Sequence, residues 1–190
     1  VGQGKLESAF TVDDMIGQVA EFAPFLYYQA ALINDMAGYE SVALSQYEKA
    51  LENSATMPHR VVTVLGNLYE RRAEWDKAEA LYARFNKERS ETSLPVEGHG
   101  WMRERGQLPE RLISNAQQGV AEIFFSIANI LHHENLNEEA LIYVQEALYL
   151  HPRFDAANLM LGTVQEKLGD HADALETYAK LLPGTPYHLK

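Results

Sequence analysis

Residues 127–152 read IANILHHENLNEEALIYVQEALYLHP, and residues 161–186 read LGTVQEKLGDHADALETYAKLLPGTP. Ala128, Ala140, Ala147 and Pro152 of the first stretch fall, 34 residues on, at Gly162, Ala174, Leu181 and Pro186 of the second. Large apolar residues keep the same offset, since Ile127 becomes Leu161 and Val144 becomes Tyr178. A fixed period of this size means stacked copies of one supersecondary unit, each burying its apolar face against its neighbours.

Earlier in the chain the markers return. Residues 58–92 carry Leu65-Gly66, Tyr69, Ala78, Tyr82 and Phe85, and residues 24–57 carry Ala31, Ala43, Tyr47 and Ala50. Two further units cover 121–154 and 155–188. Within 58–92 the apolar residues Val61, Val64, Leu65, Leu68 and Tyr69 recur at helical spacing. After a break at 73–76, Ala78, Leu81, Tyr82 and Phe85 begin a second amphipathic helix. Asp76, Asn137 and Asp170 stand where N-caps of the second helices are expected. Gly38, Asn135 and Gly169 stand where the first helices end and a left-handed residue is useful. The chain is therefore expected to be all-α, an α-solenoid of antiparallel helix pairs with about four repeats.

Small residues at 66, 128 and 162 on the first helices face Ala78, Ala140 and Ala174 on the second, where the two must approach closely. Ala140→Leu or Gly162→Leu is expected to overpack the array by roughly 1–3 kcal/mol.

Two segments break the period. Residues 1–23 are expected to hold the helix of a preceding partial repeat or a cap, from about Thr11 to Phe22. Residues 93–120 form an insert, with Pro95, Gly98, Gly100, Gly106 and Pro109 interrupting regular structure. Trp101 and Leu112 are expected to pack this insert back onto the array.

The recurring Leu65-Gly66, Tyr69, Ala78, Tyr82 and Leu161-Gly162, Ala174, Tyr178, Pro186 resemble the tetratricopeptide repeat, over about 136 of 190 residues. The first unit departs most, with Ala30-Ala31 for Leu-Gly and Asn34 for Tyr. The run 68–72, the insert and the run 118–122 together resemble the middle of long bacterial multi-repeat proteins, many of which carry a secretion signal. The chain is accordingly expected to be an interior piece of a longer bacterial protein of this family. The resemblance implies that first helices line the concave face of a superhelix and that this groove holds a peptide or protein segment.

By that register the groove candidates are Tyr28, Leu32, Arg60, Asn67, Arg71, Phe125, Asn129, Glu166 and Lys167. Asn67 and Asn129 occupy equivalent places, and an Asn amide can both donate to and accept from an extended peptide backbone. Relatives that clamp the C-terminal carboxylate of heat-shock chaperones use Lys and Asn where Tyr28 and Leu32 stand here, which disfavours that ligand.

No catalytic set emerges, for no P-loop, dinucleotide fingerprint or nucleophile elbow is present. His132 and His133 are adjacent on a helix and diverge by about 100°, so they do not suit one metal ion. They read as solvated histidines near a helix end. No cofactor is expected. The absence of cysteine removes disulfides, thiolate metal sites and a thiol nucleophile. The net charge of −11 disfavours a phosphate backbone or an anionic membrane as partner. No run of 18 apolar residues would span a bilayer.

The expected function is a non-catalytic scaffold for a protein or peptide partner, without nucleic acid or membrane insertion. The alternative is structural self-association, as a homodimer or spacer in a larger assembly. A soluble chain of the cytoplasm or periplasm is expected, with the compartment left open because a longer parent could carry a signal peptide.

Overall fold

The computed structural model describes residues 22–54, 58–88, 103–104 and 106–181. The expected helix before Phe22, the insert residues Pro95, Gly98, Gly100 and Trp101, and the end of the fourth repeat with Pro186 lie outside the described residues. The described residues form eight α-helices and no strand. They fall into two compact units divided between residues 112 and 113.

The first unit holds α1 (Ala23–Met36), α2 (Glu40–Glu52), α3 (His59–Arg71) and α4 (Trp75–Glu88), with residues 106–112 alongside. α1 packs on α2, α2 on α3, and α3 on α4. The interior is made of Ala31, Ala43, Tyr47, Ala50, Val62, Leu65, Leu68, Ala78 and Phe85, all buried. Polar links join neighbouring helices. Asn34 Nδ2 donates to Gln46 Oε1 at 2.8 Å between α1 and α2, and the Tyr69 hydroxyl donates to Glu48 Oε1 at 2.7 Å between α3 and α2.

The second unit holds α5 (Ala116–His133), α6 (Asn137–Leu150), α7 (Asp155–Leu168) and α8 (His171–Ala179), again with consecutive helices in contact. Its core joins Ala121, Phe125, Ala128, Ala140, Val144, Ala147, Phe154, Ala157, Met160 and Val164. α5 starts at Ala116, five residues inside the stretch read as insert. Its start is fixed by Asn115, whose Oδ1 accepts from Gln118 N at 2.9 Å, while Gln118 Oε1 accepts in return from Ser114 N at 2.7 Å. That reciprocal pair satisfies donors that a helix start leaves open.

All four first helices end alike. Gly38, Ala73, Asn135 and Gly169 have positive φ, as read from the sequence for three of them. The next residue's N–H closes each turn onto a carbonyl five residues back: Tyr39 onto Asn34, Glu74 onto Tyr69, Leu136 onto Leu131, Asp170 onto Gln165, at 2.8–2.9 Å. This is the Schellman closure. Ala73 takes it with φ at 57°, a conformation that a Cβ makes costly.

The expected caps of the second helices differ. Asp76 lies inside the first turn of α4, and the Glu74 carbonyl accepts from Lys77 N and Ala78 N instead. Asn137 also lies inside its helix, and Asp170 precedes α8 without a capping hydrogen bond from its side chain. The Schellman turn enters each second helix so directly that little of a separate N-cap is left to supply.

Gly66 and Gly162 do mark close approaches, but to a tyrosine of the second helix rather than to the Ala78 and Ala174 expected there, and the two are unequal. A Cβ on Gly66 would run into the ring and hydroxyl of Tyr82, and one on Gly162 would run into the ring of Tyr178. Tyr82 is buried and hydrogen-bonded to Glu70, whereas Tyr178 is half-buried. Gly66→Ala is therefore expected to cost the fold about 1–3 kcal/mol by overpacking, while Gly162→Ala costs less because Tyr178 has solvent to turn into. Thermal unfolding of the two variants checks the order, and equal midpoints would contradict this packing account.

Candidate peptide-binding face

Position 70 stands four residues after the small residue Gly66, one turn further along α3. Its equivalents are Asp35 after Ala31, His132 after Ala128 and Glu166 after Gly162. Each repeat thus carries a polar group at this register position. Tyr82 donates to Glu70 Oε1 at 3.0 Å, and Tyr178 donates to Glu166 Oε2 at 2.7 Å, so two repeats build the same link from first to second helix. Burial pushes the Glu70 carboxyl up to about 7, against a smaller opposing pull from the Tyr82 hydrogen bond. Burial, reinforced by Glu70, also pushes the Tyr82 hydroxyl above its ordinary range.

In the first repeat Asp35 plays a different part. It is 4% exposed and is reached by two guanidiniums. Arg71 Nη2, from the last turn of α3, lies 2.7 Å from both Asp35 oxygens, and Arg71 Nη1 donates to Glu40 Oε1 at 2.8 Å. Arg71 Nε donates to Asn67 Oδ1 at 3.2 Å. Arg111 Nε stands 3.2 Å from Asp35 Oδ1 as a charge contact without hydrogen-bond alignment, and Arg111 Nη1 reaches the Met36 carbonyl at 3.4 Å. With its Oδ1 taken by Arg71, Asn67 donates through Nδ2 to the Glu110 carbonyl at 3.0 Å. A side chain of α3 thus grips the backbone of the non-helical segment 106–112.

The sequence candidates separate on this framework. Asn67 and Arg71 come together with Asp35, Glu40 and the backbone of residue 110, but both are enclosed rather than open. Tyr28 and Leu32 were expected to face outward, whereas they are buried, with Tyr28 packed against Tyr47 at 6.1 Å between ring centroids. Phe125 likewise is buried, its ring 4.9 Å from that of Phe154. α1 reads APFLYYQAALINDM, apolar round most of its circumference, so more than one stripe finds a neighbour. Arg60 and Asn129 are half-buried, and Glu166 and Lys167 are exposed. Leu112, expected to anchor the insert, is exposed, and Pro109 and Arg111 are the half-buried members of the segment.

Glu40 and Arg111 are the members of this face that sequence reasoning missed, whereas the register had placed Asp35 on it. The repeat register held a signal for Asp35, because it aligns with Glu70 and Glu166. Nothing local signalled that Arg71 and Arg111 would meet it.

The chemistry available is hydrogen bonding and charge pairing. Among the described residues no three His, Asp or Glu side chains converge as metal donors. His132 Nδ1 lies 2.7 Å from Asn137 Oδ1, an interaction that ties the end of α5 to the start of α6. No described helix is long and apolar enough to cross a membrane.

Residues 63–85, most of α3 and of α4, match the family model of the tetratricopeptide repeat. No curated protein matches the chain. Among solved structures the chain is similar to the crystal structure of MamA protein, with 16% identity, 85% of this chain and 91% of that chain covered, and a TM-score of 0.38.

Proposed function

We propose that this chain, in which residues 63–85 match a tetratricopeptide repeat, is a non-catalytic scaffold whose first-helix faces hold an extended peptide or protein segment. Repeats of this family generally mediate protein–protein interaction. The observation that supports the finer reading is the hydrogen bond from Asn67 Nδ2 to the Glu110 carbonyl. An amide side chain on a first helix there recognises the main chain of a segment with no helix or strand of its own. Backbone recognition of that kind gives affinity without demanding one sequence. In the second unit the half-buried Asn129 and the exposed Lys167 are the corresponding polar groups.

Selection of a phage-displayed random dodecapeptide library on the chain tests this. Binding of the enriched peptides should fall at least about tenfold, a loss of 1.4 kcal/mol, in one or more of Asn67→Ala, Asn129→Ala and Lys167→Ala. Enriched peptides indifferent to all three would remove the first-helix faces from the account.

Self-association is supported by a separate observation on α6. Ile142 and Tyr149, seven residues apart and so on one side of the helix, are 59% and 81% exposed. Light scattering over a concentration range reads it: a mass that rises with concentration and returns to the monomer value in Tyr149→Ser would place the partner on this face.

A further inference from the structure

We propose that the first-helix face of the first unit takes a peptide presenting an arginine, and that residues 106–112 are a tethered competitor for that site. The inference rests on the peptide-binding reading and adds the ligand's chemistry and a means of control.

The segment Gly106-Gln107-Leu108-Pro109-Glu110-Arg111-Leu112 is seated as a ligand would be. It has no helix or strand pairing of its own. Its burial alternates, for Pro109 and Arg111 are half-buried while Leu108, Glu110 and Leu112 are exposed. Alternation with period two is what a non-helical peptide shows when one side lies on a surface. Its apolar side chains contribute little to holding it, with Leu108 at 54% and Leu112 at 38% exposure. The described polar contacts are the Asn67 amide on the Glu110 carbonyl and the Arg111 guanidinium among Asp35, Glu40 and the Met36 carbonyl.

Charge selects the side chain. With Arg111 in place, two carboxylates face two guanidiniums and the cluster is neutral. With Arg111 withdrawn, Arg71 is the guanidinium left bonded to Asp35 and Glu40, since Arg72, whose charge also feels Glu40, is paired with Glu74. The site then carries one net negative charge beside a free amide donor at Asn67. Arg71 is only 9% exposed and locked by four hydrogen bonds, so it cannot swing over to replace the missing cation. The vacancy is shaped for a second guanidinium with a carbonyl one residue before it. A partner segment of that kind also matches a chain of net charge −11.

Covalent attachment gives residues 106–112 an effective concentration on the order of millimolar, so a free peptide offering the same contacts is out-competed until the tether weakens. The site is thereby closed to casual arginine-bearing segments and open to a partner that adds contacts beyond those of the tether.

The test uses the full chain, its Arg111→Ala and Arg111→Lys variants, and the synthetic heptapeptide GQLPERL. Titrations follow the side-chain signals of Asn67 and Arg71 by NMR. The Arg111→Ala chain should respond to the heptapeptide at about tenfold lower concentration than the natural chain, as expected if the tether holds the site for roughly nine-tenths of the time or more. Arg111→Lys should restore much of the block. The heptapeptide with its arginine replaced by alanine should shift neither signal. Circular dichroism of each variant confirms that the helices persist. Equal responses in natural and Arg111→Ala chains, no response in either, or an equal response to the alanine peptide would each overturn the proposal. In any of those cases, library peptides that still depend on Asn67, Asn129 or Lys167 leave the scaffold reading standing, and their absence removes it as well.

Discussion

Arg71→Ala is expected to destabilise the first unit by about 3 kcal/mol, more than any other single truncation on its surface. The side chains of Arg71 and its partner Asp35 are 9% and 5% exposed, so solvent screens the pair weakly. Removing the guanidinium leaves the Asp35 carboxylate buried with only the Arg111 contact, and breaking a buried pair commonly costs about 3–5 kcal/mol. The lower end applies because Arg111 stands 3.2 Å from the same carboxylate. The Asn67 amide oxygen and one Glu40 oxygen lose donors as well. Removing both charges together should cost far less than the sum of the single changes, because Asp35→Leu with Arg71→Met leaves no uncompensated ion. Urea unfolding of the two single variants and the double variant measures this. A loss below about 0.5 kcal/mol for Arg71→Ala, the range of an ordinary exposed pair, would mean that solvent reaches the cluster.

How much of this was legible in the sequence follows from the range over which each signal acts. Helix ends were legible where a residue type is bound to a backbone conformation. Gly38, Asn135 and Gly169 announced left-handed turns, while Ala73 took the same turn unannounced because the Schellman closure outweighs the preference of one alanine. The missing side chains of Gly66 and Gly162 announced a close approach, but not that Tyr82 and Tyr178, in place of Ala78 and Ala174, fill the space. Which side of α1 and α5 meets solvent was not legible. Tyr28, Leu32 and Phe125 lie on helices with too few polar residues to mark an outer stripe, and Phe125 is covered by Phe154, which comes from the turn after α6. The cluster of Asp35, Glu40, Arg71 and Arg111 was the least legible. Asp35 and Arg71 are 36 residues apart, and Arg111 reaches Met36 from 75 residues away. A repeat register predicts contacts between equivalent positions of neighbouring units, not the docking of a segment that breaks the repeat.

Glu70 should make the first unit lose stability as pH rises through neutrality, opposite to the usual behaviour of a paired carboxylate. Its folded-state value of about 7 lies above the ordinary 4.5, so the folded chain holds this proton more tightly than the unfolded chain. The stabilising contribution is complete below pH 4.5 and is lost as pH passes 7. At pH 8 the difference amounts to about 3 kcal/mol, from 1.36 kcal/mol for each unit. The physical cause is burial of the charge at the α3–α4 contact, 1% exposed, where the Tyr82 hydroxyl at 3.0 Å offsets only part of the lost hydration. Glu70→Gln keeps the shape and a hydrogen-bond acceptor for Tyr82 without the charge. The variant should therefore exceed the natural chain in stability at pH 8 and match it near pH 4.5. Taking the difference between the two chains cancels the titration of every other carboxylate. Guanidinium unfolding at pH 4.5, 6, 7 and 8 measures it, and a difference that stays flat across that series would show that Glu70 remains charged and well hydrated in the fold.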